Sequence, residues 1–403
     1  MTRPKTGIMA VAAASVAIFW PGAFIFGLPG VLGAFWADMF HVGRGAIGNI
    51  LFFVLAAVGL FMFFVGRLQE TFGARNMVII GAAGTGIALP IIAITPNIYG
   101  IYLWAFLTGA ASCFVYIPAL TTVQKWYPVK RGLVSGIVNF AFGMSAAVAA
   151  PVCGFLLENV GYIQMILALC FASLVVGIPA ALFTGSPRSE ITVRASADAS
   201  LPLPGVSLTP AQSLRTASFW FLWLTWALQG AAGIAMVPLS TAFGLSKGFT
   251  LETAVVILTA FNMTNGLGRL ITAAVSDRLG RNFTMSLTFF AAGCAYLLLP
   301  HAGSLYGAAC LAAVIGFAFG TLFGVSAPLA TDCFGLKYFG SVFGLVFTAY
   351  GFVAGVIGPS LSGYLLDATR GNFVYVFGYL GGFCLISSVL VSFVRPPRLG
   401  SMQ

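Results

Sequence analysis

The residues best suited to bind a ligand are three polar side chains in one apolar stretch: Asn262, Asn265 and Arg269. Spacings of three and four place side chains on one face of an α-helix, so the three form a polar stripe. The Arg269 guanidinium has a fork of donors that fits a carboxylate through two parallel hydrogen bonds. The stripe therefore predicts an anion site, in which Arg269 binds the carboxylate. Asn265 would add a second hydrogen bond or hold the guanidinium; the alternative for both asparagines is hydrogen bonding to neighbouring helices.

Arg269 is the only charged residue well inside a predicted helix. An arginine at the centre of a bilayer costs about 2.5–3.5 kcal/mol on insertion scales, so a favourable contact must offset it. Every Asp and Glu falls in a predicted loop or at a predicted helix end. The negative partner is therefore expected to be a substrate anion, and the alternative is an arginine that snorkels or caps the carbonyls of a broken helix.

The elements that must hold this site are membrane helices. Of 403 residues, 60% are apolar and only 7% are charged, against about a quarter in a soluble domain. One soluble core could not bury so much apolar surface, and the composition equally excludes disorder. The net charge of +10 does not indicate a nucleic-acid partner, because the basic residues form no continuous patch.

Apolar runs of about 20 residues predict an all-α polytopic membrane protein with twelve transmembrane helices and no barrel strands. A polar stretch at 185–213 divides them into two six-helix bundles, 1–184 and 214–403, and is interpreted as a flexible linker. The predicted helices are 7–36, 46–66, 76–94, 98–123, 132–157, 162–184, 216–241, 251–274, 283–300, 304–329, 339–366 and 373–394.

The basic residues predict the orientation of the helices. With both termini on one side, fifteen Lys and Arg residues lie on that side, and only Arg44, Lys247 and Arg370 lie opposite. Basic loops stay in the cytoplasm, so both termini are expected on the cytoplasmic side. The protein itself is expected in a cell membrane. The apolar run that follows Arg3 and Lys5 is too long for the core of a signal peptide, which predicts that the first helix is retained.

The two halves of the sequence repeat at a nearly fixed offset. One loop, 66–75, matches 273–282 at an offset of 207, with Glu70 opposite Asp277 and Gly73 opposite Gly280. Parallel repeats of this kind build carriers from two halves with the substrate between them. At an offset of 208, the second recurring set is Gly132, Gly136, Gly143 and Pro151, which returns as Gly340, Gly344, Gly351 and Pro359.

The first of these loops resembles the signature of the major facilitator superfamily, although Glu70 stands where the family usually has Asp. The resemblance covers essentially the whole chain and implies a carrier whose helices one, four, seven and ten line a central cavity. The signature residues are Gly66, Leu68, Glu70, Gly73 and Arg75.

A narrower resemblance is to the monocarboxylate porters and the related oxalate–formate antiporters. It rests on residues 126–136, 214–220 and 265–281, with NGLGR and SDRLGR in the last stretch. Asn265 replaces the Asp of eukaryotic porters, and residues 19–22 replace their Asp-Gly start to helix one. Tyr350 stands where oxalate carriers have a lysine. Without a second cation, the site is expected to accept one carboxylate better than two.

The family resemblance places further residues at the cavity. Tyr116 on helix four is a candidate phenol donor to the substrate. Phe24 and Leu28 on helix one and Phe323 on helix ten are candidates for an apolar wall. Ordinary packing is the alternative for each of these residues.

The repeated loops are interpreted as gates on the cytoplasmic side, with a static helix cap as the alternative. The gating candidates are Glu70, Arg75, Asp277, Arg278 and Arg281.

No catalytic, phosphate-binding or dinucleotide motif occurs, and the seven cysteines include no CxxC pair, so we expect no enzyme, cofactor, metal or disulfide. The prediction is a monomeric secondary transporter of lactate- or pyruvate-like monocarboxylates, moved with a proton by alternating access. Asp38, His41 and Glu252 are the candidates for proton coupling. The alternatives are an oxalate/formate-type exchanger, a membrane sensor and an anion channel.

Overall fold

In a computed structural model, the structure describes residues 3–127, 131–185, 208–335 and 338–397. All regular structure in these ranges is helical, and twelve helices are long and apolar enough to cross a membrane. We number them α1 (Arg3–Gly22, Ala23–Gly27 and Leu28–Phe40), α2 (Arg44–Phe72), α3 (Ala74–Ile87 and Pro90–Ile94), α4 (Ile98–Trp126), α5 (Arg131–Asn159), α6 (Tyr162–Leu182), α7 (Ala217–Ser246), α8 (Leu251–Leu279), α9 (Arg281–Leu298), α10 (Leu305–Phe334), α11 (Phe339–Thr348, Ala349–Ala354, Val356–Ser360 and Leu361–Ala368) and α12 (Phe373–Ser392).

The predicted twelve-helix fold is confirmed, with several helices longer than their apolar runs. Helix α2 continues to Phe72 and α8 to Leu279, because polar side chains can extend a helix beyond the apolar layer. Both end at a glycine with positive φ, 80° at Gly73 and 89° at Gly280, where a side chain would be strained. These are the glycines that the two repeated loops share.

Most of the predicted linker lies outside the described residues, so the prediction of a flexible segment at 185–213 remains untested. Near its end the chain forms a short helix, Pro210–Leu214, whose first turn is fixed by a capping box between Thr209 and Gln212. Large apolar side chains on the outer surface, among them Phe155 and Phe171, are well exposed. A bilayer would cover that surface.

Two helices contain wider π turns: Ala23–Gly27 in α1, and Ala349–Ala354 with Val356–Ser360 in α11. A π turn has more residues than an α turn, so it rotates the side chains that follow relative to those before it. Tyr350 lies inside the first π turn of α11.

The six-helix sets meet at two crossings that the sequence repeat relates. At the α5–α8 crossing, a Cβ on Gly143 would lie 2.8 Å from the Cα of Gly266. At the α11–α2 crossing, a Cβ on Gly351 would lie 2.6 Å from the Cα of Gly59. The four glycines pair at the offsets of 208 and 207 seen in the sequence. Small residues let the helix backbones approach closely at both crossings.

Candidate functional site

Arg269 lies deep in the protein between two aromatic rings. Its side chain is 1% exposed, with the guanidinium carbon 4.2 Å from the centroid of Phe323 on α10 and 5.3 Å from that of Phe142 on α5. Glycines make the space: a Cβ on Gly143 would lie 3.1 Å from the Arg269 Nε, and one on Gly324 only 2.5 Å from its carbonyl oxygen. The rings stabilise the buried cation by cation–π contact.

The guanidinium uses little of its hydrogen-bonding capacity within the described residues. Its Nε donates to Asn265 Oδ1 over 3.3 Å, whereas Nη1, Nη2 and the Asn265 Nδ2 have no partner there. None of the ion pairs in the described part of the chain includes Arg269. Leaving a buried donor unpaired costs about 1–3 kcal/mol, and more for a charged group. This arrangement suits an anion that accepts from both Nη atoms.

The predicted polar stripe on α8 exists as a set of buried side chains. Asn262 and Asn265 are fully buried, as is Arg269. Asn262 donates to the Leu258 carbonyl of its own helix over 3.0 Å, and its Oδ1 has no partner among the described residues. Asn265 thus contacts the guanidinium directly, whereas the Asn262 amide is hydrogen-bonded within its own helix.

A cavity of about 40 Å³ lies between the bundles beside this site. At about 10–15 Å³ per water, it has room for about three water-sized groups, which favours a small substrate. Phe142 and Phe323, which flank the guanidinium, both line it, although Arg269 itself does not. The lining residues are Ile25, Phe26, Val54, Leu55, Val58, Met62, Ser112, Tyr116, Phe142, Phe323, Phe347 and Tyr350.

The cavity is lined by other residues of α1 than the predicted Phe24 and Leu28, whose contact with substrate stays a prediction. Phe24 and Leu28 are buried but do not line the cavity, and the Phe24 ring packs 6.0 Å from that of Trp20. Ile25 and Phe26 line it instead. The π turn at Ala23–Gly27 changes which side chains face inward, and regular helical spacing could not predict this.

Tyr116 and Tyr350 line the cavity, as does the predicted Phe323. Tyr116 Oη donates to Asn139 Oδ1 on α5 over 2.6 Å, so its proton is already engaged. Tyr350 Oη has no partner among the described residues, and its ring lies 5.7 Å from Phe323. The sequence analysis missed Asn139, whose place on α5 carries no signal of its own.

The two phenols and the guanidinium lie at similar depth. Arg269 is ten residues before the end of α8 at Leu279, Tyr116 is ten before the end of α4 at Trp126, and Tyr350 is eleven after the start of α11 at Phe339. At about 1.5 Å per residue, each residue lies about 15 Å from the end of its own helix. Each phenol packs against one of the rings that flank Arg269: the centroid of Tyr116 lies 5.5 Å from that of Phe142, and that of Tyr350 lies 5.7 Å from that of Phe323.

Two gating candidates of the second repeat, Asp277 and Arg281, belong to a charged cluster within one bundle. Arg281 bridges Asp277 over 3.1 Å and also pairs with Asp332 at the end of α10. The sequence analysis missed Asp332 as a member. Arg278 is exposed, the Arg75 side chain lies against Gly185, and the Glu70 side chain is outside the described residues. A gate between the bundles therefore remains a prediction for these five residues.

The proton-coupling candidates lie at the opposite helix ends, which we call the Asp38 side. Asp38 lines a second cavity, of about 320 Å³, together with Arg44 and Thr241. His41 is exposed at the end of α1, and Glu252 is exposed in the first turn of α8; neither lines that cavity. The structure thus does not bring the three together at one cavity.

The Asp38 side also contains a contact between bundles that the sequence analysis missed. The Asp367 carboxylate of α11 accepts hydrogen bonds from the backbone amides of Arg44 and Gly45, over 3.0 and 2.9 Å, at the start of α2. The N-cap residue Gly43 has no side chain to do this. A carboxylate at a helix N-terminus accepts hydrogen bonds from free backbone amides, and its negative charge interacts favourably with the positive end of the helix dipole. Asn49 and Tyr364 add a hydrogen bond of 3.0 Å.

This fold and site define a multi-pass membrane transporter: twelve apolar helices form two sets of six, which meet at two crossings related by the sequence repeat, beside a buried cation. The chain belongs to the Major Facilitator Superfamily, whose sequence model matches residues 8–359.

Individual relatives agree with this assignment. The chain is similar to an oxalate:formate antiporter of Oxalobacter formigenes, with 26% identity over 339 residues, 83% of this chain and 78% of that protein. It is also similar to an uncharacterized MFS-type transporter, YhjX, of Escherichia coli, with 24% identity and 71% coverage of each chain. An uncharacterized 38 kDa protein of Thermoproteus tenax is 28% identical over 77% of this chain and 76% of its own length.

Proposed function

We propose that this protein carries short monocarboxylates of lactate or pyruvate size across the cell membrane, with a proton, by alternating access. The observation that supports this best is the buried Arg269, whose Nη1 and Nη2 have no partner among the described residues. A carboxylate can accept from both at once. The small cavity beside Phe142 and Phe323 favours a substrate of a few heavy atoms.

Tyr350 favours a monocarboxylate over a dicarboxylate. It is a neutral side chain on the cavity wall, among the rings of Trp226, Phe323 and Phe347. A second carboxylate there would lie in a poorly hydrated aromatic environment without a cation to pair with it. The cytoplasmic location of both termini is part of the proposal, and rests on the distribution of basic residues.

Carboxylate exchange is the second candidate, and similarity to the oxalate:formate antiporter favours it. An anion cannot accumulate against an inside-negative membrane potential unless a co-ion or a counter-substrate moves with it. The two candidates therefore differ in what drives uptake: a pH gradient for symport, or an internal carboxylate for exchange.

The test is uptake of radiolabelled lactate by proteoliposomes with and without an imposed pH gradient, each with and without internal formate. We expect an inward proton gradient to stimulate saturable uptake without internal formate. Uptake that requires internal carboxylate and does not change with the pH gradient would indicate exchange. Flux that does not saturate with lactate concentration would indicate a channel.

Arg269→Ala and Arg269→Lys should both abolish uptake, because lysine keeps the charge but loses the two-pronged donor. Arg215→Lys is the matched control, since Arg215 is exposed and lies outside the membrane helices. Full uptake by Arg269→Ala would refute the carboxylate assignment.

A further inference from the structure

Two cavities lie between the six-helix sets, and α2 and α11 contribute to both. The central cavity, of about 40 Å³, is lined by Val54 of α2 and Tyr350 of α11. The Asp38-side cavity, of about 320 Å³, is lined by Gly48 of α2 and Pro359 of α11. Val54 follows Gly48 by six residues, which is about 9 Å along a helix. The two helices therefore run past one cavity and then the other.

Between the cavities, α2 and α11 touch backbone to backbone. A Cβ on Gly48 would overlap the carbonyl oxygen of Pro359. About one turn further in, a Cβ on Gly355 would lie 3.0 Å from the Cα of Phe52. We call the contact made by these four residues the α2–α11 seam. It is closed without intervening side chains, so anything larger than glycine at position 48 must push the two helices apart.

Further contacts fasten the outer end of this seam. The Asp367 carboxylate of α11 accepts hydrogen bonds from the backbone amides of Arg44 and Gly45 in α2, over 3.0 and 2.9 Å. A Cβ on Gly363 of α11 would overlap the Arg44 carbonyl oxygen. The first turn of α2 is thus capped by the other six-helix set, and separating the helices would return these amides to water.

The sequence repeat does not reproduce this seam at the α5–α8 crossing. The offsets that relate the central glycines make Val255 of α8 the counterpart of Gly48, and Phe155 of α5 the counterpart of Gly363. In the described part of the chain, a Cβ on Gly154 of α5 would meet only the Val255 side chain, at 3.9 Å. On the Asp38 side, a side chain therefore stands between α5 and α8, whereas α2 and α11 touch directly.

We propose that substrate passes between the Asp38-side cavity and the central cavity by separation of α2 from α11, and that Gly48 determines how firmly this route closes. The seam begins at Gly48 and Pro359, which line the outer cavity, and continues to Phe52, two residues before Val54 of the central cavity. Parting the two helices along it would join the cavities. The inference rests on the alternating access of the proposed function.

The test measures distances between spin labels by electron paramagnetic resonance, on the full chain in lipid nanodiscs with its seven native cysteines replaced. Labels at Met39 and Tyr375 lie close in sequence to the outer ends of α2 and α11, and labels at Ile163 and Val256 report on α5 and α8. All four positions are exposed. Gly48→Ala overpacks the closed seam, so the ratio of longer to shorter distances should rise about fivefold or more for the first pair. The second pair should change less.

Gly344→Ala is the matched control. This glycine is also on α11, and a Cβ there would have no atom of the described residues within 4 Å, so both pairs should keep their wild-type distances. Asp367→Asn weakens the seam without adding bulk and should shift the first pair in the same direction as Gly48→Ala. It therefore provides the test if Gly48→Ala does not fold.

The outcomes distinguish this inference from the proposed function, because the distances are measured without substrate. If the first pair keeps its wild-type distances in the folded variants, or if both pairs lengthen equally, the α2–α11 seam is not the route, and carboxylate uptake is unaffected by that result. If wild type takes up no carboxylate, the proposed function fails, and a selective lengthening of the first pair would still support the seam as the part that opens.

Discussion

The guanidinium carbon of Arg269 lies 4.2 Å from the centroid of the Phe323 ring, with both side chains held at the boundary between the two bundles. The ring lines the central cavity, whereas the guanidinium flanked by it does not. Phe323 therefore stabilises the buried cation and holds the guanidinium in a fixed orientation beside the cavity.

Replacing Phe323 should weaken substrate binding. Phe323→Leu removes a cation–π contact worth about 2 kcal/mol at a desolvated site. A guanidinium that is no longer held by the ring is less well oriented, so we expect the KM for lactate to rise by about tenfold. Phe323→Tyr keeps the ring and should stay close to wild type. Concentration-dependent uptake is the measurement, and an unchanged KM for Phe323→Leu would contradict the assigned role.

The paired glycines allow a comparison between the two crossings. Gly143→Ala and Gly351→Ala both place a Cβ within 3 Å of the facing glycine, and so both should slow transport. Only a Cβ at Gly143 also comes within 3.1 Å of the Arg269 Nε. We therefore expect both variants to lower Vmax, and Gly143→Ala alone to raise KM. Equal KM values in uptake assays would show that Gly143 serves the crossing only.

The helices, the buried arginine and the repeat could be predicted from the sequence. Hydropathy indicates the helices, a single charge in an apolar stretch indicates the arginine, and a fixed offset between similar segments indicates the repeat. Phe24 and Phe26 could not be distinguished, since a π turn depends on packing around it and leaves no periodic signal. Asp367 and Asp332 were missed for a related reason. Each contacts a helix that is distant in sequence, α2 for Asp367 and α9 for Asp332, and only the tertiary fold brings the two partners together.

Asp367 should hold the start of α2 on the Asp38 side. Asp367→Asn leaves one side-chain acceptor for the two amides of Arg44 and Gly45 and removes the favourable charge at the helix N-terminus. Loss of a cap costs about 0.5–2 kcal/mol, which predicts that hydrogen–deuterium exchange in the segment 43–49 will speed up by about two- to thirtyfold. Glu252→Gln removes an exposed acid on the same side and should leave this segment unchanged.

If the exchange rate of this segment does not respond to Asp367→Asn, the carboxylate does not hold the bundles together in solution. A selective increase would make Asp367 a contact that must break whenever the Asp38 side opens. The uptake rate of the same variant would then show whether that opening limits transport.

The Arg281 cluster should affect stability more than substrate affinity. Arg281 joins α8, α9 and α10 within one bundle, through Asp277 and Asp332. About half or more of each carboxylate side chain is exposed, 66% for Asp277 and 49% for Asp332. Because water screens such pairs, Arg281→Gln should cost no more than about 1 kcal/mol, seen as a small fall in the melting temperature of the purified protein. Asp277, the member of the cluster on α8, lies about 12 Å along that helix from Arg269, so the KM for lactate should not change. Arg278→Gln, at an exposed neighbour, should leave both values near wild type. A large fall in Vmax with unchanged melting temperature would instead support the gating hypothesis for this loop over a static cap.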